Sequence, residues 1–507
     1  MPMQLDQQVC SRARITRDAR FDGRFFIGVL STGIYCRPIC PSRTSKERNV
    51  RYFPSASAAA EAGFRPCLRC RPECSPGTPA WLGTPNTVLR ALRLIDEGSL
   101  EDGGVELLAE RLGVGSRHLR RLFLQHLGAT PSAVAQTRRL HFAKKLIDET
   151  SLPMSQVAIA AGFGCVRRFN ASIRCAYNRT PTQIRSLAKK TITAPENHYT
   201  FHLPFRPPYH WEGMLAFLGR HAIPGVEAVS GGRYRRVISL NGSPGHVEVA
   251  LDDEQEGLVV RVQFGDPRSL FFIIERIRTM FDVNADWVAI ANSLRSDPVL
   301  ADAVAAEPGL RVPGCWDGFE IAVSSIVNEQ LDSSDGIEIL RRIVQRMGRP
   351  FSGPDGVTHL FPAPQILAEC DLIQVGLARS HRETIRNLAR SVSKGQIRFE
   401  RSVEAEILTG QLSEIRGISR GVARYVAMRA LGEPDSFPSE YLHLHHGLCA
   451  NPSELESMAE DWRPWRAYAA MYVWRIGSGE MPRPVAAKST ATRTGHLLPA
   501  SPAVFLQ

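Results

Sequence analysis

The stretch FDGRFFIGVLSTGIYCRPICPSR (residues 21–43), answered by GFRPCLRCRPE (63–73), sets four cysteines in two close pairs. Cys36 and Cys40 form a C-x3-C pair, Cys67 and Cys70 a C-x2-C pair, and 26 residues separate the two. Thiol pairs carried on turns can converge on one tetrahedral zinc ion at about 2.3 Å per sulfur. Pro38, Pro41 and Pro66 fix turn backbone beside these candidate ligands. The spacing therefore predicts one zinc ion held by Cys36, Cys40, Cys67 and Cys70. Cys74 falls outside the second pair and reads as a bystander.

Around this nucleus the charge is uneven. The chain has 507 residues and a net charge of +11. Residues 1–195 hold 30 Lys+Arg against 14 Asp+Glu, a balance of +16, and the remainder carries −5. A basic field confined to the N-terminal part favours a polyanionic partner, nucleic acid first. Hydrophobic content of 43% and charged content of 22% are globular values, which exclude disordered and fibrous classes. No apolar run approaches the ~18–20 residues of a membrane span, and no signal-peptide core opens the chain. The expectation is a cytoplasmic, nucleoid-associated protein with no membrane partner, where cysteines stay reduced.

Proline and glycine mark the divisions. PECSPGTPAWLGTPN (72–86) cannot continue a helix, and TITAPENHYTFHLPFRPPYH (191–210) breaks the chain where the charge reverses. Between them, 87–187 has apolar residues at helical spacing. Alternation in Arg236–Leu240 and Leu258–Val262 suits an antiparallel sheet. Helical periodicity returns over 268–477, and the Pro/Ala/Thr-rich tail 481–507 is expected to be disordered. The division reads as 1–78, 86–190, 198–284 and 285–480 plus that tail.

The cysteine stretches resemble the N-terminal domain of the bacterial Ada methyl-response family, whose T-G-I-x-C-R-P-x-C and G-F-R-P-C-x-R-C patterns match here at every position. The resemblance covers about residues 6–75. It implies that Cys36 is a sacrificial nucleophile taking a methyl group from a DNA methylphosphotriester, with the zinc both structural and catalytic. A zinc ion with four thiolates carries about −2 formal charge, and methylation of one thiolate removes one negative charge. DNA binding should then tighten, a covalent electrostatic switch. Arg43, Arg65, Arg69 and Arg71 lie beside the ligands and are candidate phosphate contacts.

In VELLAERLGVGSRHLRRLFLQHLG (105–128) a short helix ends at Gly113-Val114-Gly115, and Ser116 can cap a second helix bearing Arg117, His118, Arg120 and Arg121. Leu112, Leu119, Leu122 and Phe123 would face the partner helix. This is helix-turn-helix grammar, with basic residues offered to the major groove. A second unit runs from Met154 through Gly162-Phe163-Gly164 into a helix with Arg167, Arg168 and Asn170. Its A-G-F turn, Phe169 and the closing R-T-P-T-Q-I-R (179–185) resemble the AraC-type activator domain.

From Tyr199 onward the chain resembles AlkA-type 3-methyladenine DNA glycosylases, in YTFHLPFRPPYHWEGMLAFLGRHAIPGVEAV, LRVPGCWDGFEIAVSSIVNEQ (310–330) and MAEDWRPWRAYAAMYVWR (458–475). The family's hairpin pattern L-P-G-I/V-G reads Ile415-Arg416-Gly417-Ile418-Ser419 here, with Gly421 at the expected aromatic. Gly417 and Ser419 are the candidate phosphate-holding positions. The family's catalytic aspartate aligns with Glu440, whose carboxylate is one methylene further out, and Glu329–Ser333 brings two acids to the segment that presses into DNA. Trp462, Trp465, Tyr468 and Trp474 read either as a base pocket or as core.

Taken together, the resemblances imply a small α/β zinc domain with four cysteine ligands and an all-α double helix-turn-helix domain. A small antiparallel α+β sheet domain and an all-α helix-hairpin-helix glycosylase-like bundle follow. The expected function is an adaptive response to DNA alkylation: single-turnover methyl transfer from DNA methylphosphotriesters to Cys36, activation of repair genes, and a weakened C-terminal module for excising alkylated bases. Double-stranded DNA is the expected partner, with RNA polymerase a further candidate. The alternative is a purely regulatory zinc-containing DNA-binding factor with an inactive glycosylase-like domain. No P-C-H-R-V motif of an O6-alkylguanine acceptor occurs.

Overall fold

The computed structural model describes residues 6–76, 86–96, 98–100, 104–187, 195–252, 254–329, 333–354, 356–441, 448 and 451–479. The tail 481–507, parts of both sequence breaks (77–85 and 188–194) and residues 330–332 of the DNA-pressing segment lie outside the described residues.

The cysteine-bearing region opens with α1 (Gln7–Thr16), capped by Asp6, whose side chain accepts from the Gln8 and Val9 amides. Four short strands follow: β1 (Phe26–Val29), β2 (Ile34–Cys36), β3 (Val50–Phe53) and β4 (Arg65–Pro66), with α2 (Ala56–Glu61) before the last. They lie in the order β3-β1-β2-β4, and only the β2–β4 pairing is parallel. Alternation sends Phe26, Tyr35 and Phe53 to one face with Phe64, and Ile27 to the other with Cys10 and Ala13.

Seven helices come next: α3 (Asn86–Asp96), α4 (Gly104–Arg111), α5 (Ser116–Leu127), α6 (Pro131–Glu149), α7 (Met154–Ala160), α8 (Val166–Tyr177) and α9 (Pro181–Leu187). In α5, Leu119 and Phe123 are fully buried, and in α8 so are Phe169 and Ile173. Removing either phenylalanine ring would cost about 3–5 kcal/mol. Both α5 and α8 end on a left-handed residue, Gly128 and Asn178. Ser116 is the first residue of α5 rather than its cap. Gly115 holds the cap position in extended backbone and, having no side chain, makes no side-chain bond.

A five-stranded antiparallel sheet follows, built from β5 (His198–Pro204), β6 (Glu227–Ser230), β7 (Arg233–Leu240), β8 (Ser243–Leu251) and β9 (Gly257–Phe264), with α10 (Trp211–Arg220) inserted after the first strand. The order is β5-β9-β8-β7-β6. Leu258, Val260, Val262 and Phe264 point inward along β9. On the opposite face Glu248 lies across from Arg235 and Arg261 and pairs with both, at 2.7 and 2.8 Å.

The rest is helical: α11 (Leu270–Met280), α12 (Trp287–Leu294), α13 (Ala301–Ala306), α14 (Gly318–Asn328), α15 (Ser333–Met347) and α16 (Pro364–Glu369). It continues through α17 (Arg379–Ser393), α18 (Ala405–Ser413), α19 (Arg420–Leu431), α20 (Pro452–Ala459) and α21 (Arg466–Gly477). No described helix is long and apolar enough to cross a membrane.

The cores do not follow the sequence breaks. The first helix-turn-helix unit packs around its own cluster, which includes Val88, Leu108, Phe123 and Val134. The second unit and α6 share one continuous core with the sheet and α11, running from Phe142 and Phe169 through Phe201 and Val260 to Ile277. Phe142 and Phe271 meet edge to face at 5.0 Å across that junction.

Candidate metal centre and nucleic-acid faces

The sulfurs of Cys36, Cys40, Cys67 and Cys70 lie within 4.8 Å of one another. A tetrahedron with ~2.3 Å arms needs sulfurs about 3.8 Å apart, so the four residues fit a zinc ion. Cys36 ends β2, and the Cys67 amide donates to the Tyr35 carbonyl at 3.0 Å, which lays the second pair beside the first. The Arg37 amide donates to the Cys70 sulfur at 3.3 Å. The buried Arg37 guanidinium adds a bond to the Cys70 carbonyl at 3.0 Å and pairs with Asp22 through Nε at 2.9 Å. Arg37 thus locks the two thiol turns together, a role not read from the sequence although it stands between the first two ligands. Cys36 and Cys40 are half-buried, whereas Cys67 and Cys70 are buried. Cys74 is buried outside the cluster.

The exposed side of the cluster opens into a cleft of about 490 Å³. Arg43, Arg65 and Arg69 line it together with Cys36, Cys40 and Cys67. Its far wall comes from the C-terminal corner of α8, Tyr177-Asn178-Arg179. Leu68, between Cys67 and Arg69, packs into the core of the second helix-turn-helix unit, which holds that wall in place. Neither Arg179 nor Leu68 was singled out by the sequence reading.

Arg71 departs from expectation. It pairs with Glu73, Asp148 and Glu149 at 3.2, 3.0 and 3.2 Å and so braces the cysteine region against α6. Lys144 joins the same buried network through Glu73 at 3.3 Å. Burial raises the Glu73 carboxyl, but Lys144 and Arg71 outweigh it and hold the group below its ordinary range. Above this network the Tyr35 hydroxyl meets His141 Nε2 at 2.8 Å, and burial pushes His141 down to about 4.

On α5, Arg117, Arg120 and Arg121 are exposed. Arg120 meets Glu106 at 3.0 Å, and Arg121 meets His118 at 2.9 Å. On α8, Arg167, Arg168 and Asn170 are exposed beside the buried Phe169. Both helices thus present polar faces opposite their packed ones, and such faces can enter a groove.

The hairpin region is built differently. Gly417 has φ +95°, and a side chain there would collide with Thr384. Ser419 caps α19 by accepting from the Val422 amide at 3.1 Å. Glu440 is exposed in the loop after α19, and a Cβ on Gly421 would stand 3.0 Å from the Glu440 Cβ. A side chain at Gly421 would therefore crowd the chain at Glu440 and Tyr441. Glu329, at the end of α14, is pushed up chiefly by burial and also by Glu440, against Ser419 and His381. Helix α14 is positioned by Arg236 on β7, which reaches Glu320 at 2.6 Å, and α19 by Arg429, whose guanidinium donates to the Pro313 and Gly314 carbonyls. Trp462, Trp465, Tyr468 and Trp474 all lie in the helical core. Trp462 Nε1 donates to Asp297 and the Tyr468 hydroxyl to Asp282, at 2.8 and 2.7 Å.

Three family models match the chain. The metal binding domain of Ada covers residues 9–73, a helix-turn-helix domain 108–186, and the AlkA N-terminal domain 200–317. Fold and cluster together define a multidomain protein joining these three types of unit to a helical glycosylase-like bundle. Over 479 residues the chain is 38% identical to the probable bifunctional transcriptional activator/DNA repair enzyme AlkA of Mycobacterium tuberculosis, covering 92% of this chain and 96% of that one. It belongs to that family. Its C-terminal half is similar to DNA-3-methyladenine glycosylase 2 of Escherichia coli, 29% identical over 277 residues, 54% of this chain and 95% of the relative. Its N-terminal part is similar to the bifunctional transcriptional activator/DNA repair enzyme Ada of E. coli, 38% identical over 125 residues, 25% of this chain and 34% of that one.

Proposed function

We propose that the protein senses and responds to DNA alkylation, with Cys36 as the acceptor of a methyl group from a DNA methylphosphotriester. The observation that carries this reading is Cys36, partly buried at the floor of an arginine-lined cleft, in a cluster whose other sulfurs are tied into turns. A zinc ion bound by the four cysteines would keep them as thiolates at neutral pH. The Cys36 sulfur attacks the methyl carbon, a sulfur–carbon bond forms, and the carbon–oxygen bond to phosphorus breaks. The electron pair of that bond stays on the phosphate oxygen, leaving a diester anion and a thioether. No step regenerates the thiolate, so each chain turns over once.

The exposed faces of α5 and α8 are assigned to promoter DNA, with Arg117, Arg120, Arg121, Arg167, Arg168 and Asn170 as the contacts. Loss of one negative charge at Cys36 would strengthen that binding, so the acquired methyl group becomes a transcriptional signal. In the C-terminal half we assign a weak base-excision activity with Glu440 as its carboxylate. Weakness follows from the extra methylene, since misplacement by about 1 Å can cost roughly 10²-fold, and from Ser419 and Gly421 at the phosphate and aromatic positions.

The test is one incubation of the zinc-loaded full chain with duplex DNA carrying methylphosphotriesters and methylated bases. One methyl group is expected on the Cys36 peptide by mass spectrometry, and none in Cys36→Ala. Slow release of methylated base is expected by chromatography, lost in Glu440→Gln. An unmodified Cys36 would return the protein to a purely regulatory reading.

A further inference from the structure

We infer that Arg179, at the corner between α8 and α9, belongs to the methyl-acceptor cleft. There it stabilises the phosphodiester anion as the methyl group leaves, so that the second helix-turn-helix unit supplies part of the acceptor site. The inference rests on the methyl-acceptor reading of Cys36.

Position comes first. Arg179 lines the same cleft as Cys36, although 143 positions separate them in the chain. The corner is held from both sides. Tyr177 is buried in the second unit's core, Leu68 of the thiol turn packs into that core, and α8 packs against β4. Asn178 takes the left-handed conformation at φ +52°, a backbone state open to few residues besides Gly, Asn and Asp, and this turns the chain so that Arg179 follows the helix end.

Charge comes second. Many of the described arginines are paired with carboxylates, as Arg71 is with three of them. Arg43, Arg65, Arg69 and Arg179 have no hydrogen bond from their guanidinium groups and no ion pair among the described residues. Four guanidinium groups without a protein partner around one cleft leave their charge and donors free for phosphate oxygens of a bound ligand. Three come from the cysteine region, and the fourth comes from the reader.

The chemistry then assigns Arg179 a kinetic role. The phosphotriester is neutral when it binds. Negative charge develops on the phosphate oxygen only as the carbon–oxygen bond breaks. A guanidinium there binds the departing diester more strongly than the substrate, so it acts on the rate rather than on affinity.

The test uses the zinc-loaded full chain and a dinucleoside methylphosphotriester, too short to reach the groove-facing helices α5 and α8. Cys36 methylation is followed by mass spectrometry across substrate concentration. Arg179→Gln is expected to lower the saturating transfer rate about ten-fold with little change in half-saturation, and Arg179→Lys to restore part of it. Thermal melts of both variants should match the wild type, because Arg179 is exposed and unpaired. A wild-type rate in Arg179→Gln overturns the inference and leaves the acceptor reading standing. A wild-type chain that leaves Cys36 unmodified overturns both.

Discussion

The thiol cleft and the hairpin edge are both faces where DNA chemistry would take place, and they are built on opposite principles. In the cleft, unpaired arginines surround the proposed acceptor Cys36, whose neighbours are fixed by backbone bonds, as when the Arg37 amide reaches the Cys70 sulfur. At the hairpin, Glu329 and Glu440 approach one another beside Ser419, and the aromatic position is Gly421. The scaffold behind that edge is intact, since Arg236 still ties the sheet to α14 and Arg429 still anchors α19. A fold can keep its buried framework while the groups that would meet the ligand change, because the two are stabilised by different contacts.

The largest effect expected is at the thiol cleft. Cys67→Ser should remove the metal, measured as zinc per chain falling from one to zero, and should abolish methyl acceptance at Cys36. A zinc ion on the four cysteines would tie β2 to the turn that follows β4, and structural zinc contributes on the order of 10 kcal/mol. Full zinc content in Cys67→Ser would break the comparison at its stronger side. At the hairpin the expected change is smaller and opposite in sign. Glu440→Asp should raise release of methylated base about ten-fold by drawing the carboxylate back one methylene. No rise would mean that Ser419 and Gly421, rather than the acid, limit that half.

The smallest effect concerns pH at the contact behind the cleft. His141 is held neutral, down to about 4 in the folded chain against an ordinary value near 6.5. Its contribution to stability is present above about pH 6.5 and is lost as pH falls toward 4, because the unfolded chain binds the proton more readily. Urea midpoints should drop across that window, and His141→Gln should flatten the slope. A slope unchanged by the substitution would show that the contact with Tyr35 does not couple to protonation.

Much of this was legible in the chain. The cysteine pairs are local patterns, and the turns that present them are written in Pro38, Pro41 and Pro66. The helix-turn-helix units were legible because burial repeats with helical period, as at Leu119 and Phe123. What escaped depended on distant partners. Arg71 reads as a phosphate contact until Asp148 and Glu149, more than seventy residues on, neutralise it. Arg179 reads as a helix-end residue until the packing of Leu68 brings the thiol turn to it. The closeness of Gly421 to Glu440 is likewise spatial, although each residue is visible alone as a departure from its family.

The core that runs from Phe142 and Phe169 into the sheet has a practical consequence. The chain offers no clean place to cut near residue 190. A fragment ending there would carry α6, α7 and α8 with their apolar faces stripped of Phe201, Val260 and Ile277, and would be expected to aggregate. A fragment beginning there would carry the complementary wound. The break looks like a hinge in the chain, yet the elements on either side of it share one core, and separating them would take a redesigned surface as well as a stop codon.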